Sequence, residues 1–217
     1  MSEPEAITAL VTAAKDAGLV VSGVISIGTG SPQRTAILLD EIDIEAVRKL
    51  AQMGAKLAKK GLAAPWLLTH AVIAGSLDTF PLELLELRIA GHVVHGSGLS
   101  DDLAEPLAEH LRLQIERELR AAAITLRQNL LQAGDAERSC NAIVAEARVG
   151  LARVMRGLVY LNKPDAAGDP NAWPEACDPE VQPLARDLAT APAPGWAGYR
   201  ALYQAVTAAA QAVDSDA

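Results

Sequence analysis

Residues 28–31 read Gly-Thr-Gly-Ser and stand between two apolar stretches, LVVSGVISIG (19–28) and TAILL (35–39). Glycines followed by serine can turn successive backbone N–H groups toward an anion, with the hydroxyl as a further donor. Gly28, Gly30 and Ser31 are therefore candidates to cradle a phosphate, and Arg34 could add a charge to it. The same residues also make an ordinary strand-to-strand turn in which glycine supplies positive φ. Arg34 reads equally as a solvated or salt-bridged arginine, and no lysine stands beside the loop. His92 and His95 form an H-x-x-H pair. On a strand, positions i and i+3 face opposite sides, so the pair is expected to be two ordinary strand residues, not metal ligands. His110 is expected to have a packing role. Of the cysteines, Cys140 has only Arg138 as a nearby cation, while Glu175 and Asp178 flank Cys177 and should raise its pKa. Neither is set up as a nucleophile.

The elements that hold these residues follow from periodicity and punctuation. Residues 3–17 carry apolar positions at helical spacing and end on Gly18. The stretches 19–28 and 35–39 read as strands joined by the Gly-Ser turn. Asp43 can cap a helix that runs to about residue 60, with Gly54 inside it. Residues 64–69 read as a short strand, and 70–80 as a short helix or turn. PLELLELR (81–88) reads as a strand that returns, hairpin-like, through HVVHG. From Ser100 or Pro106 a long helix is expected, with Leu107, Leu111, Ile115, Leu119, Ala122, Leu126 and Leu130 as one apolar stripe. A second long helix covers 136–161. A proline-rich loop covers 162–179, and helices lie near 179–189 and 195–213 before a tail expected to fray. The organisation is α+β: a small mixed-sheet domain over 1–98, then an all-helical bundle over 99–217.

Composition narrows the class. The chain has 217 residues, half of them hydrophobic but only 3% aromatic, and a net charge of −8. That balance argues against a general nucleic-acid binder and against docking on anionic membranes. Two cysteines with no C-x-x-C, an acidic N-terminus and no long apolar run lead to the expectation of a cytoplasmic protein without a membrane span. No G-x-S-x-G, H-E-x-x-H, Walker loop or G-x-G-x-x-G occurs.

Three stretches carry a resemblance. They are LLDEIDIEAVRKLAQ, then APWLLTHAVIAGSLDTFPLELLELRIAGHVVHG, then EHLRLQIERELRAAAITLRQNLL. Together they resemble a bacterial family of nucleotidyltransferase-like proteins over roughly residues 20–132. MRGLVYLNKP looks like part of that family's helical domain. The resemblance implies a nucleotidyltransferase-type sheet domain followed by a helical domain, with a cleft between them. It also implies a reaction in which carboxylates hold metal ions against a nucleotide's phosphates. The superfamily places a Gly-Ser step before a D-x-D or D-x-N pair on the next strand, where alternation aims both carboxylates at one side. A third carboxylate comes from a later strand.

On this chain the two metal-holding positions fall on Pro32 and Arg34. Proline has no ligand atom, and arginine repels a divalent cation. The loop is also shortened, and Ser31 is claimed both by the Gly-Ser step and by the start of the metal motif. Asp40, Glu41 and Asp43 lie too far along, since eight strand residues span about 26 Å. Glu83 and Glu86 remain as carboxylates for a rearranged site, and strand alternation would let at most one face the cleft. The charges of 116–120 are either a solvated helix face or part of the cleft lining. The Arg-His pair of the small helical RNases that partner minimal nucleotidyltransferases is absent.

The leading expectation is a member without metal-dependent catalysis that uses its cleft to bind a nucleotide, a small ligand or a protein partner, with no cofactor. The alternatives are an active, magnesium-dependent nucleotidyltransferase using Glu83 or Glu86, and a structural module that homodimerises through its helical half.

Overall fold

In a computed structural model, residues 3–28, 32–97, 103–169 and 171–215 are described. The chain is α+β and divides into two compact units, 1–106 and 107–217. Arg88 holds the end of the connecting segment on the first unit. Its guanidinium donates to the Leu103 carbonyl at 2.6 Å and pairs with Glu105 at 3.1 Å.

The first unit opens with α1 (Glu3–Asp16). Gly18, at φ +97°, ends it. The amide of Leu19 then turns back onto the Ala14 carbonyl at 3.0 Å, which satisfies an end carbonyl that would otherwise lack a partner. Strands β1 (Val21–Ile27) and β2 (Arg34–Leu39) follow. Asp43 caps α2 (Ile44–Ala51) by accepting from the Glu45 amide at 3.0 Å. The expected single helix to residue 60 is broken after α2, and α3 (Gly54–Lys59) starts at Gly54. Strand β3 (Trp66–Leu68) and α4 (His70–Ala74) come next, with the Thr69 hydroxyl capping α4.

Residues 81–88 are not a strand. They belong to α5 (Pro81–Ala90), which begins on Pro81 and runs without a loop into β4 (Gly91–Gly96). Proline is favoured at a helix start because its missing N–H has no intrahelical partner there. No hairpin forms between 81–88 and β4. Instead β4 pairs antiparallel with β1. The sheet order is β3-β2-β1-β4, with β1 antiparallel to β2 and β2 parallel to β3.

Both faces of the sheet are covered. Val24, Ile37 and Leu39 pack with Leu10, Ala14, Leu50 and Leu57 from the first three helices. Ile25, Ile27, Ala36 and Leu38 pack on the other face with Ile73, Leu84 and Leu87 from α4 and α5. Alternate residues of β1 and β2 thus feed two separate cores, which is why both strands read as almost continuous apolar runs.

The second unit is a helical bundle. Helices α6 (Ala108–Ala133) and α7 (Glu137–Asn162) are joined by a short turn containing Gly134 at φ +75°. Of the expected stripe, Leu111, Ile115, Leu119 and Leu126 are buried, whereas Leu107 lies before the helix and is 59% exposed. The proline-rich segment contains two single-turn helices, α8 (Pro164–Ala167) and α9 (Trp173–Ala176). Helices α10 (Gln182–Ala189) and α11 (Gly195–Ser215) complete the unit. The Tyr199 hydroxyl donates to the Leu126 carbonyl at 3.0 Å, tying α11 to α6. Arg148 of α7 donates to the carbonyls of Asp187, Leu188 and Thr190 at 2.5–2.8 Å, closing the C-terminal end of α10. Among the described residues, no helix is long and apolar enough to cross a membrane.

Candidate functional site

The residues singled out around the Gly-Ser turn converge at one end of the sheet in the first unit. Arg34 opens β2, and its side chain points to the face covered by α5. There it meets Glu86 in a fork: Nη1 donates to Oε1 at 2.8 Å and Nη2 to Oε2 at 2.7 Å. Glu86 is 5% exposed. The guanidinium also lies over the Trp66 ring, 5.5 Å from its centroid. Its pKa is raised, first by the hydrogen bonds to Glu86, against an opposing effect of burial. A planar fork matched to a carboxylate and stacked on an indole is an arrangement that lysine could not reproduce.

Gln33 builds the neighbouring layer. Its backbone bridges to the segment after α3, donating to the Gly61 carbonyl and accepting from the Ala63 amide. Its side-chain amide donates to the Ser26 hydroxyl and, at 3.3 Å, to the Gly28 carbonyl. Ser26 and Thr35 are buried opposite one another in the β1–β2 register.

Of the phosphate-loop residues, Gly28 has φ +64°, and its amide donates to the Ala90 carbonyl at 3.0 Å. Gly30 and Ser31 lie outside the described residues. Arg34 is held by Glu86, and Pro32 is exposed. Glu83 and Glu86 share a helix, so the strand argument that set them on opposite sides does not hold. Three residues apart on α5 they are neighbours on its surface, with Glu86 turned to the sheet and Glu83 half-buried.

The histidines also depart from simple alternation. A bulge in β4 skips Val94, so His92 lies opposite Ser26 and His95 opposite Val24, two residues of one face of β1. Both histidines are exposed on this edge strand. No group of three or more His, Cys, Asp or Glu side chains converges as a metal site among the described residues. His110, near the start of α6, lies 3.8 Å from Glu109. Cys140 is buried, its thiol 3.5 Å from the Asp135 carbonyl. Cys177 is buried too, and its thiol is pushed up to about 11, by burial first and then by Asp178. The acidic neighbours act in the expected direction, but burial is the larger cause.

Sequence reasoning missed Trp66 and Gln33 as parts of this arrangement. Trp66 carried one signal, as one of only three tryptophans in a chain poor in aromatics. Gln33 carried none. No protein-family model matches the chain, and no curated protein matches it.

Proposed function

We propose that this chain is a nucleotidyltransferase-like protein without metal-dependent transfer, and that it works by binding a nucleotide, a small ligand or a protein partner. One observation carries the reading: the Arg34–Glu86 fork at 2.7–2.8 Å. The resemblance puts a metal-holding carboxylate at position 34 and allows the third carboxylate in 81–88. This chain has an arginine at position 34, and that arginine neutralises Glu86. A guanidinium fixed there repels a divalent cation and occupies both carboxylate oxygens that would hold it. Phosphate recognition by Arg34 would first require the fork to open. Any nucleotide contact in this region therefore falls to groups other than Arg34 and the Gly28 amide.

Isothermal titration with ATP, with and without magnesium, tests the proposal. The expected result is a binding heat that magnesium does not alter. Silence in both conditions removes the nucleotide and leaves a small ligand or protein partner. Magnesium-dependent binding overturns the proposal. So does magnesium-dependent label transfer from a nucleoside triphosphate that is lost in Glu83→Gln or Glu86→Gln.

A further inference from the structure

Helix α6 carries a second pattern besides its buried stripe. Residues 113, 117, 120, 124, 127 and 131 step by four, three, four, three and four, the spacing of a coiled-coil seam. They are Leu113, Arg117, Arg120, Ile124, Arg127 and Leu131, and all are exposed. Leu113 is 65% exposed, Ile124 48% and Leu131 87%. The seam runs about 27 Å along the helix at 1.5 Å per residue. In its middle, Arg120, Ala123, Ile124 and Arg127 form one wall of an open groove of about 440 Å³, and Thr207 and Ala210 of α11 form the other. Glu116 pairs with Arg120 at 2.9 Å, so the charge excess of the seam resides mainly in Arg117 and Arg127. This is a basic, apolar strip on a chain whose net charge is −8.

We infer that this seam docks an acidic amphipathic helix of a protein partner. The length and heptad spacing match a helix lying along α6 beside the groove, with apolar side chains meeting Leu113, Ile124 and Leu131 and carboxylates meeting the arginines. Charge decides between partners. A second copy laid parallel would place Arg117 against its own counterpart. Laid antiparallel about residue 122, it would place Arg117 against Arg127. Either pairing opposes like charges, which acts against self-association through this seam. The inference stands on the helical unit and is independent of the function proposed for the sheet unit.

The probe is a synthetic labelled helical peptide with leucine opposite the three apolar positions and glutamate opposite the three arginines. Controls replace each glutamate by lysine or scramble the order. Fluorescence anisotropy of the full chain should show saturable binding of the glutamate peptide only, weakening as salt is raised. Arg117→Glu/Arg127→Glu, with its helicity checked by circular dichroism, should weaken binding by roughly tenfold or more. Several results would overturn the inference: no binding of the glutamate peptide, equal binding of a control peptide, or affinity unchanged in the double variant. A dimer in sedimentation that Leu131→Glu dissociates would also overturn it, assigning the seam to a second copy.

Discussion

Removing the charge from one side of the Arg34–Glu86 fork should destabilise the sheet unit far more than removing it from both. In Arg34→Met the guanidinium over Trp66 is lost, and Glu86, 5% exposed, keeps a carboxylate with no cation. Breaking a buried pair from one side costs about 3–5 kcal/mol. Because the Arg34 side chain is 28% exposed, water can partly replace it, and about 3 kcal/mol is the better expectation. Glu86→Gln keeps the shape and one acceptor but turns an amide N–H group toward the guanidinium and leaves the Arg34 charge unpaired, so it should cost about 2–3 kcal/mol. Arg34→Met/Glu86→Leu removes both charges and should return to within about 1 kcal/mol of the parent. The assay is urea unfolding followed by tryptophan fluorescence in a Trp173→Phe/Trp196→Phe background, which leaves Trp66 as the sole tryptophan of the original three. With a slope of about 1–3 kcal/mol per molar urea, the Arg34→Met midpoint should fall by roughly 1–3 M. If the double variant is as unstable as the sum of Arg34→Met and Glu86→Leu, the two groups are not coupled and the reasoning fails.

Arg148→Ala should destabilise the helical unit by about 2–3 kcal/mol, because three carbonyls at the end of α10 lose their donor. Arg148→Lys should recover less than half of this, since an ammonium cannot span all three, and hydrogen exchange across 182–190 reports both variants. The Cys177 thiol, raised from 9.0 to about 11, favours the protonated form in the folded state. Its contribution to stability is therefore complete below about pH 9 and is lost as pH climbs toward about 11. Urea midpoints measured across that range should fall more steeply for the parent than for Cys177→Ala. Parallel slopes would show that the thiol is not held in its neutral form.

The elements legible in the sequence were those with one wet and one dry side. The long helices α6 and α7 showed their stripes because water covers their other faces, and Leu111, Ile115, Leu119 and Leu126 of the α6 stripe are buried. Gly18 and Asp43 were readable as local capping chemistry, which depends only on neighbours in the chain. Helix α5 was not legible. Pro81, Leu82, Leu84, Leu85, Glu86 and Leu87 are all buried, so the run shows no clear wet and dry sides, and periodicity cannot separate helix from strand there. Pro81 at the helix start was the one available signal. The Arg34–Glu86 fork joins residues 52 positions apart, and nothing local announces it. What the sequence did supply was the oddity of an arginine where the resemblance asked for a carboxylate. The bulge at Val94 was hidden for the same reason, because register depends on the partner strand.

That bulge also bears on the company the protein keeps in a crowded solution. A sheet with open edges invites strands of other molecules to add on, the first step toward aggregates. Here one border is β3, only three residues long. The other is β4, where the skipped Val94 interrupts the regular row of backbone groups and two exposed histidines flank it. A border so short on one side and so irregular on the other gives a foreign strand little to zip against. The apolar strands β1 and β2, which alone would rank among the stickiest segments of this chain, stay locked between them.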